Sequence, residues 1–324
     1  MTQMHYDELD LAVIERCDGL RKDAGDTIFV AKELEAVKAK TYDQKNANLN
    51  ALKMFDMSSD VDPGADTISY QSLGAVGMAK TIANYATDFA RVDVMAEEHI
   101  AKVIAGGAAY GYTIQDLRRA AMARKPLSSR KAIAVRRALD EYVNRIAFKG
   151  DAKHGVVGLL DNPNIGSYTV AADGAGGTGS STKFKDKTAV QILRDMNGII
   201  HSVSKQTNEV ENPNTLALPP DQYNYIASTP YSDVVADSIL SVFKRNNPDV
   251  TVIKANELAG AGAGGLDMML AYVKDIDHQS LEVPLPFAQH TIQQKGLEFE
   301  VPCEVRTAGV LIYYPLSMNK ASGI

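Results

Sequence analysis

Two cysteines, Cys17 and Cys303, stand in 324 residues, tryptophan is missing altogether, and aromatic residues reach only 7%. Cysteines so far apart build no disulfide framework and no CxxC pair for zinc, and a reducing site of synthesis is expected. No apolar run is long enough to cross a bilayer. The N-terminal MTQMHYDELDLAVIERCDG carries acids among its apolar residues and does not read as a signal peptide, so a soluble, non-secreted protein is expected. Positive charge is also in short supply: 34 Lys and Arg stand against 40 Asp and Glu, a net charge of -6. That balance excludes a chain that is cationic as a whole and binds nucleic acid through bulk charge.

Recognisable catalytic spacing is equally scarce. The six histidines (His5, His99, His154, His201, His278 and His290) form no HExxH and no other paired spacing, and there is no G-x-S-x-G elbow. The acid clusters DELD and AEEH read as solvated faces, since acid/base pairs need one carboxyl in an apolar pocket. Two stretches match the loose dinucleotide fingerprint: Gly174, Gly176, Gly179, and Gly260, Gly262, Gly265. The fingerprint works when a strand hands a pyrophosphate to a helix N-terminus. The first match is followed by SSTKFKDK, which does not start a helix promptly; the second precedes the strand-like MMLAYV. Flexible loops account for both. The expectation is a protein that is not an enzyme and uses no cofactor or metal.

What is present is ordinary globular composition, 45% hydrophobic and 23% charged, enough for one large or two modest domains. Residues 1–50 read as helical, with a thin apolar stripe at Phe29, Val30, Leu34, Val37 and Tyr42 that fits docking on its own domain or on a neighbouring subunit. The turn cluster SSDVDPGAD (Ser58 to Asp66) marks a boundary. Beyond it Ile68 and Tyr70, and later Val92 and Val94, alternate with polar neighbours. That texture predicts a long two-stranded excursion with its tip near Asn84 to Asp88. Such a hairpin is marginal alone in water, which points to a partner.

Thr113 followed by Asp116 predicts a helix cap, Pro126 a break or kink, and Val135, Ala138, Leu139, Tyr142, Val143 and Ile146 a strong helical stripe. From Thr113 to Gly150 ten Lys or Arg face three Asp or Glu. That excess reads either as a solvated face or as a surface toward nucleic acid. Gly150, Gly155, Gly158, Asn162 and Pro163 then predict sharp turns, and His154 has no partner nearby to make it a ligand. SYTVAA (Ser167 to Ala172) is strand-like. From about Asp186 helical and strand patterns alternate: AVQILRDMNGIIHSVSKQT helical, TLALPPDQYNYIAS strand plus turn, DVVADSILSVFKRNNP helical, then DVTVIKA and DMMLAYVKD as strands. Val305 to Tyr314 reads as one buried strand.

In order, FVAKELEAVKAKTYD, GADTISYQSLGAVGMAKTIANYATDFARVDV, YGYTIQDLRRAAM, RRALDEYVNRIAFKGDAKHGVVGLLDNPNI and RTAGVLIYYPLSM resemble the tailed-bacteriophage major capsid proteins. Theirs is the Hong Kong ninety-seven type fold, which encapsulin shell proteins share. The resemblance implies an α+β capsid fold: an N-terminal arm at 1–50, a lead-in and extended hairpin loop at 51–112, and a peripheral domain with a long spine helix at 113–185. An α/β axial domain at 186–290 and return strands to the peripheral domain at 291–324 complete it. It also implies pentamers and hexamers closing an icosahedral virion shell around double-stranded DNA, assembled in the bacterial host cytoplasm. Portal and scaffolding or decoration proteins would be partners, and no membrane is involved. Lys80 and Arg91 are the candidates for pairing with a neighbour's acids, Arg136 and Arg137 for facing DNA. The alternatives are an encapsulin-like cellular compartment and a nucleotide-dependent α/β enzyme.

Overall fold

A computed structural model describes residues 47–77, 91–123, 128–176, 180–232 and 237–324. The sequence-predicted arm up to residue 46, the hairpin tip with Lys80, the Pro126 kink and Gly179 lie outside the described residues. In chain order the elements are α1 (Ala51–Met54), β1 (Met57–Ser58), β2 (Thr67–Val76), β3 (Asp93–Lys102), β4 (Ile104–Thr113), α2 (Ile114–Ala123) and α3 (Ser128–Lys149). There follow β5 (Gly150–Asp151), β6 (Val156–Val157), β7 (Gly166–Ser167), α4 (Ala189–Gln206), β8 (Thr215–Leu218), α5 (Pro220–Ser228), α6 (Ile239–Asn246) and β9 (Thr251–Lys254). The last are β10 (Met268–Tyr272), β11 (Gln279–Glu282), β12 (Leu285–Gln289), β13 (Gln293–Lys295), β14 (Glu298–Thr307), β15 (Gly309–Ile312) and β16 (Met318–Ser322).

A five-stranded sheet in the order β7-β16-β10-β8-β9 divides two cores. Its central strand, MMLAY, is buried at every position, as a strand covered on both faces must be. Because side chains alternate, Met268, Leu270 and Tyr272 join one core with Leu139, Val143 and Phe148 of α3. Met269 and Ala271 join the other with Ile192, Met196 and Ile199 of α4 and Phe243 of α6. Helix α4 starts at a reciprocal cap: the Thr188 hydroxyl accepts from Gln191 N–H, and the Gln191 side chain accepts from Thr188 N–H.

Beside the first core stands a second antiparallel sheet. β14 pairs with β4 from Glu298↔Thr113 to Thr307↔Ile104, and with β12 and β13 on its other edge. β3 and β4 are nearly one extended segment that changes partner at buried Val103, from β2 in the hairpin to β14 in the body. A third, small sheet has the order β1-β11-β15.

Helix α3 follows its predicted stripe at Leu139, Val143 and Ile146, with Val135 and Tyr142 partly buried, but Ala138 is exposed because it sits one position off the core face. The Thr113 cap is present: Asp116 N–H donates to Thr113 Oγ1 at 3.1 Å, and Asp116 Oδ2 accepts from Thr113 N–H. Donation from the Thr113 hydroxyl and backbone N–H holds the Asp116 carboxyl below its usual range.

Other expectations are corrected. PPDQYNYIAS is a helix, not a turn, since Pro220 occupies a first-turn position that needs no N–H donor. Val305 to Tyr314 is not one strand: the chain breaks at Ala308, and Gly309, at φ +79°, sends β15 into a different sheet from β14. Of SYTVAA only Ser167 is in a strand, and the helix in DVVADSILSVFKRNNP begins at Ile239. The last strand, β16, enters the five-stranded sheet beside β10.

Candidate assembly surface

The hairpin of β2 and β3 is paired in unbroken register, Thr67↔Lys102 through Val76↔Asp93, and has no third strand among the described residues. Directly opposed residues share a face. Thr67, Ser69, Gln71 and Leu73 therefore lie with Lys102, Ile100, Glu98, Ala96 and Val94. On that face Leu73 is 70% exposed, Ile100 68% and Val94 61%. Met95, on the other face, is 68% exposed. Large apolar side chains so open to solvent in a two-stranded ribbon are unusual, and contiguous apolar surface marks an interaction site.

The base of the hairpin is fastened. Tyr70 stacks on His99 at 5.0 Å, meets the Tyr313 ring edge-on at 4.9 Å, and donates its hydroxyl to the Ile312 carbonyl at 3.3 Å. Burial pushes the Tyr70 and Tyr313 phenols up, so both stay donors at neutral pH. Arg306 of β14 donates to Pro63 O and pairs with Asp66 at 2.8 Å, pinning the lead-in, and Val103 N–H donates to Asp66 O.

Below it, the lead-in helix is locked to the spine by buried Asn144. Its Oδ1 accepts from Asn50 N–H at 3.1 Å and Ala51 N–H at 2.9 Å, and its Nδ2 donates to Glu257 Oε1 at 2.8 Å. Glu257 Oε2 also accepts from Asn50 Nδ2 at 2.6 Å. These partners are 93 to 207 residues apart, so no local pattern could have announced them.

Among the residues singled out from sequence, Arg91 lies exposed next to β3. Arg136 is exposed on α3 with its guanidinium 5.7 Å from the Phe287 ring centroid. Arg137, half-buried, pairs with Glu141 one turn on at 2.8 Å. Neighbours on a helix point about 100° apart, so the two arginines do not form one focused site.

The glycine-rich stretch after α3 is brought together. β5 and β6 form a tiny hairpin in which Gly150 (φ +66°) and Gly155 (φ +76°) adopt left-handed backbone. A Cβ on Gly158 would lie 2.3 Å from Gly150 N, so the two strands meet backbone to backbone. Asn162 Oδ1 accepts from Asn164 N–H at 2.9 Å, an Asx turn around Pro163. His154 Nδ1 meets Asp151 Oδ2 at 2.8 Å, and this bond holds the Asp151 carboxyl below its usual range. The contact closes the turn at an exposed position.

The second fingerprint match also has a structural role. Gly260 N–H donates to Asp267 Oδ1 at 2.9 Å, and the loop hands the chain to strand β10, the reverse of a phosphate-binding strand-to-helix order.

Comparison with known proteins places this geometry. No curated protein sequence matches the chain. Among solved structures, the capsid of the myovirus phage XM1 is similar at a TM-score of 0.77 and 18% identity, covering 91% of this chain and 98% of that one. The capsid of a native GTA particle is similar at a TM-score of 0.62 and 9% identity, covering 89% and 95%. A structure from Mycobacterium phage Ogopogo is similar at 0.58 and 11%, covering 90% and 98%. The fold is thus that of phage major capsid proteins. The sequence profile described as "Major capsid protein" matches residues 77–324, most of the chain, and the chain belongs to that family of capsid shell proteins.

Proposed function

We propose that copies of this chain assemble into pentamers and hexamers that close an icosahedral phage head around double-stranded DNA. The observation that carries the reading is the β2–β3 hairpin, whose apolar residues Leu73, Val94 and Ile100 stay exposed among the described residues. Fully burying Leu73, Val94 and Ile100 against a neighbour is worth about 2 kcal/mol each. Repeated over every copy in a closed shell, contacts of that size sum to a stable assembly.

In this reading residues 1–50 form an arm and 51–112 the lead-in and extended loop, of which the ribbon at 67–102 is the part that overlaps a neighbour. Residues 113–185 form the peripheral domain around the spine, 186–290 the axial domain, and 291–324 the returning strands. Lys80 and Arg91 pair with a neighbour's acids. Arg136 and Arg137 turn toward packaged DNA, a non-specific contact that weakens with salt. Assembly takes place in the host cytoplasm, with a portal and scaffolding or decoration proteins as partners.

The test is deletion of residues 78–92. The shortened subunit is expected to fold, with unchanged protection of the five-stranded sheet, and to give no shells by sizing chromatography and negative-stain microscopy. Normal shells from the deletion variant would refute the role of the hairpin. Genes next to this one add a separate check: portal and terminase genes fit a virus, and a cargo enzyme fits a cellular compartment.

A further inference from the structure

Glu282, at the end of β11, is only 3% exposed, yet no cation lies within ion-pair range of it among the described residues. Three hydroxyls surround it instead. Ser280 Oγ donates to Oε1 at 2.6 Å, Tyr313 Oη to Oε1 at 3.2 Å, and Ser58 Oγ to Oε2 at 3.1 Å. Three donors converging on two oxygens suit a carboxylate, which only accepts. A protonated carboxyl would bring a fourth O–H into the cluster. One hydroxyl would then have to turn and accept: Ser58 for a proton on Oε2, or Ser280 or Tyr313, themselves 2.9 Å apart, for a proton on Oε1.

The position of this cluster gives it leverage. Ser58 belongs to β1, on the lead-in to the hairpin. Tyr313 meets Tyr70 edge-on, and Tyr70 stacks on His99, so the hairpin base rests on the same phenol that donates to Glu282. Between the hairpin base and the body lies a cleft of about 380 Å³, lined on one side by Glu98, His99 and Lys102 and on the other by Asn162, Asn164 and Val310. The cleft leaves the hairpin base room to tilt.

We infer that Glu282 is an acid-sensitive clip: ionised, it fixes Tyr313 and the lead-in so that the hairpin is held at one angle, and on protonation the hairpin base loosens. The other groups packed around it are accounted for. Thr307 of β14 donates to the Glu282 carbonyl rather than its carboxyl, and Asp56 beside β1 uses its carbonyl on Leu281 N–H. His99 also lies at the hairpin base, with its Nε2 3.0 Å from Ser72 Oγ. Asp66 and Arg306 pair with each other below the hairpin. The inference concerns the subunit itself and stands apart from the assembly reading.

The test is hydrogen exchange on the unassembled full chain, as protection factors corrected for intrinsic rates, at about pH 7.5 and about pH 4.5. Wild type is expected to lose about tenfold protection in 67–76 and 93–102 at the lower pH, while β8 and β10 keep theirs. Glu282→Gln, a neutral mimic, is expected to show the low hairpin protection at both values. Tyr313→Phe keeps the carboxylate but removes the link, and its hairpin is expected to be loosened and insensitive to acid. If Glu282→Gln unfolds, seen as lost protection in β8 and β10, Tyr313→Phe decides alone. A pH-independent wild-type hairpin, a Tyr313→Phe hairpin that responds like wild type, or a response abolished by His99→Gln would overturn the inference.

Discussion

Replacing Asn144 with alanine removes a side chain that satisfies two buried N–H groups and a partly exposed carboxylate at once. Ala51 N–H loses its 2.9 Å acceptor and Asn50 N–H its 3.1 Å acceptor, although Asn50 keeps a long 3.4 Å contact to Glu257. Glu257 loses the 2.8 Å donation from Nδ2. A buried donor left unpaired costs about 1–3 kcal/mol, and a hydrogen bond to a charged group contributes about 1.5–3 kcal/mol. Taking about 2 for Ala51, about 1 for Asn50 with its remaining contact, and discounting the partly exposed Glu257 to about 1, the loss is about 4 kcal/mol. Urea denaturation of the unassembled subunit should show it as a midpoint lower by roughly 1–2 M with little change in slope. Asn144→Asp separates the contributions. It keeps the acceptor for both N–H groups but sets a carboxylate against Glu257, so its deficit at neutral pH should shrink on acidification. An alanine variant within about 0.5 kcal/mol of wild type, the range of an uninvolved surface site, would refute the claim that this network joins lead-in and spine.

The double substitution Leu73→Asp, Val94→Asp alters only exposed positions, so thermal stability of the subunit should stay within about 0.5 kcal/mol of wild type, while shell yield by sizing chromatography falls sharply. Gly158→Ala forces a Cβ against the Gly150 backbone, and should lower stability by about 1–3 kcal/mol, the usual cost of overpacking, measured by the same denaturation. Asp173 accepts from Arg194 at 2.6 Å, the main reason its carboxyl sits below the usual range, and Lys187 lies 3.5 Å away. A lowered folded value gives stability that is present above the unfolded value near about 4 and lost as pH falls through the folded one. Asp173→Asn should therefore be less stable than wild type at neutral pH, with the difference closing below about pH 4 in thermal melts.

Parts of this architecture could be read directly from local pattern and others could not. The spine stripe at Leu139, Val143 and Ile146 was legible because a helix buried on one side repeats its apolar residues every turn. The alternation around Tyr70 and Val94 revealed the hairpin, since a ribbon keeps a period of two whether or not a body covers it. Helix α5 was missed because two prolines read as a turn when the second of them, Pro220, only starts the helix. The Asn144–Asn50–Glu257 lock and the Glu282 hydroxyl cluster were invisible for a different reason. Each joins segments that only folding brings together, and single Asn, Glu and Ser residues have no periodicity to betray them. For the basic helix, sequence showed an excess of charge, while the structure showed Arg136 against Phe287 and Arg137 against Glu141.

The central claim is that the exposed hairpin face is covered by another copy in a closed shell. Negative-stain microscopy of the purified full-length protein, with and without a scaffolding partner, tests it most directly. The account predicts closed icosahedral particles of uniform diameter built from pentamers and hexamers. A protein that stays a stable monomer under every assembly condition would contradict it.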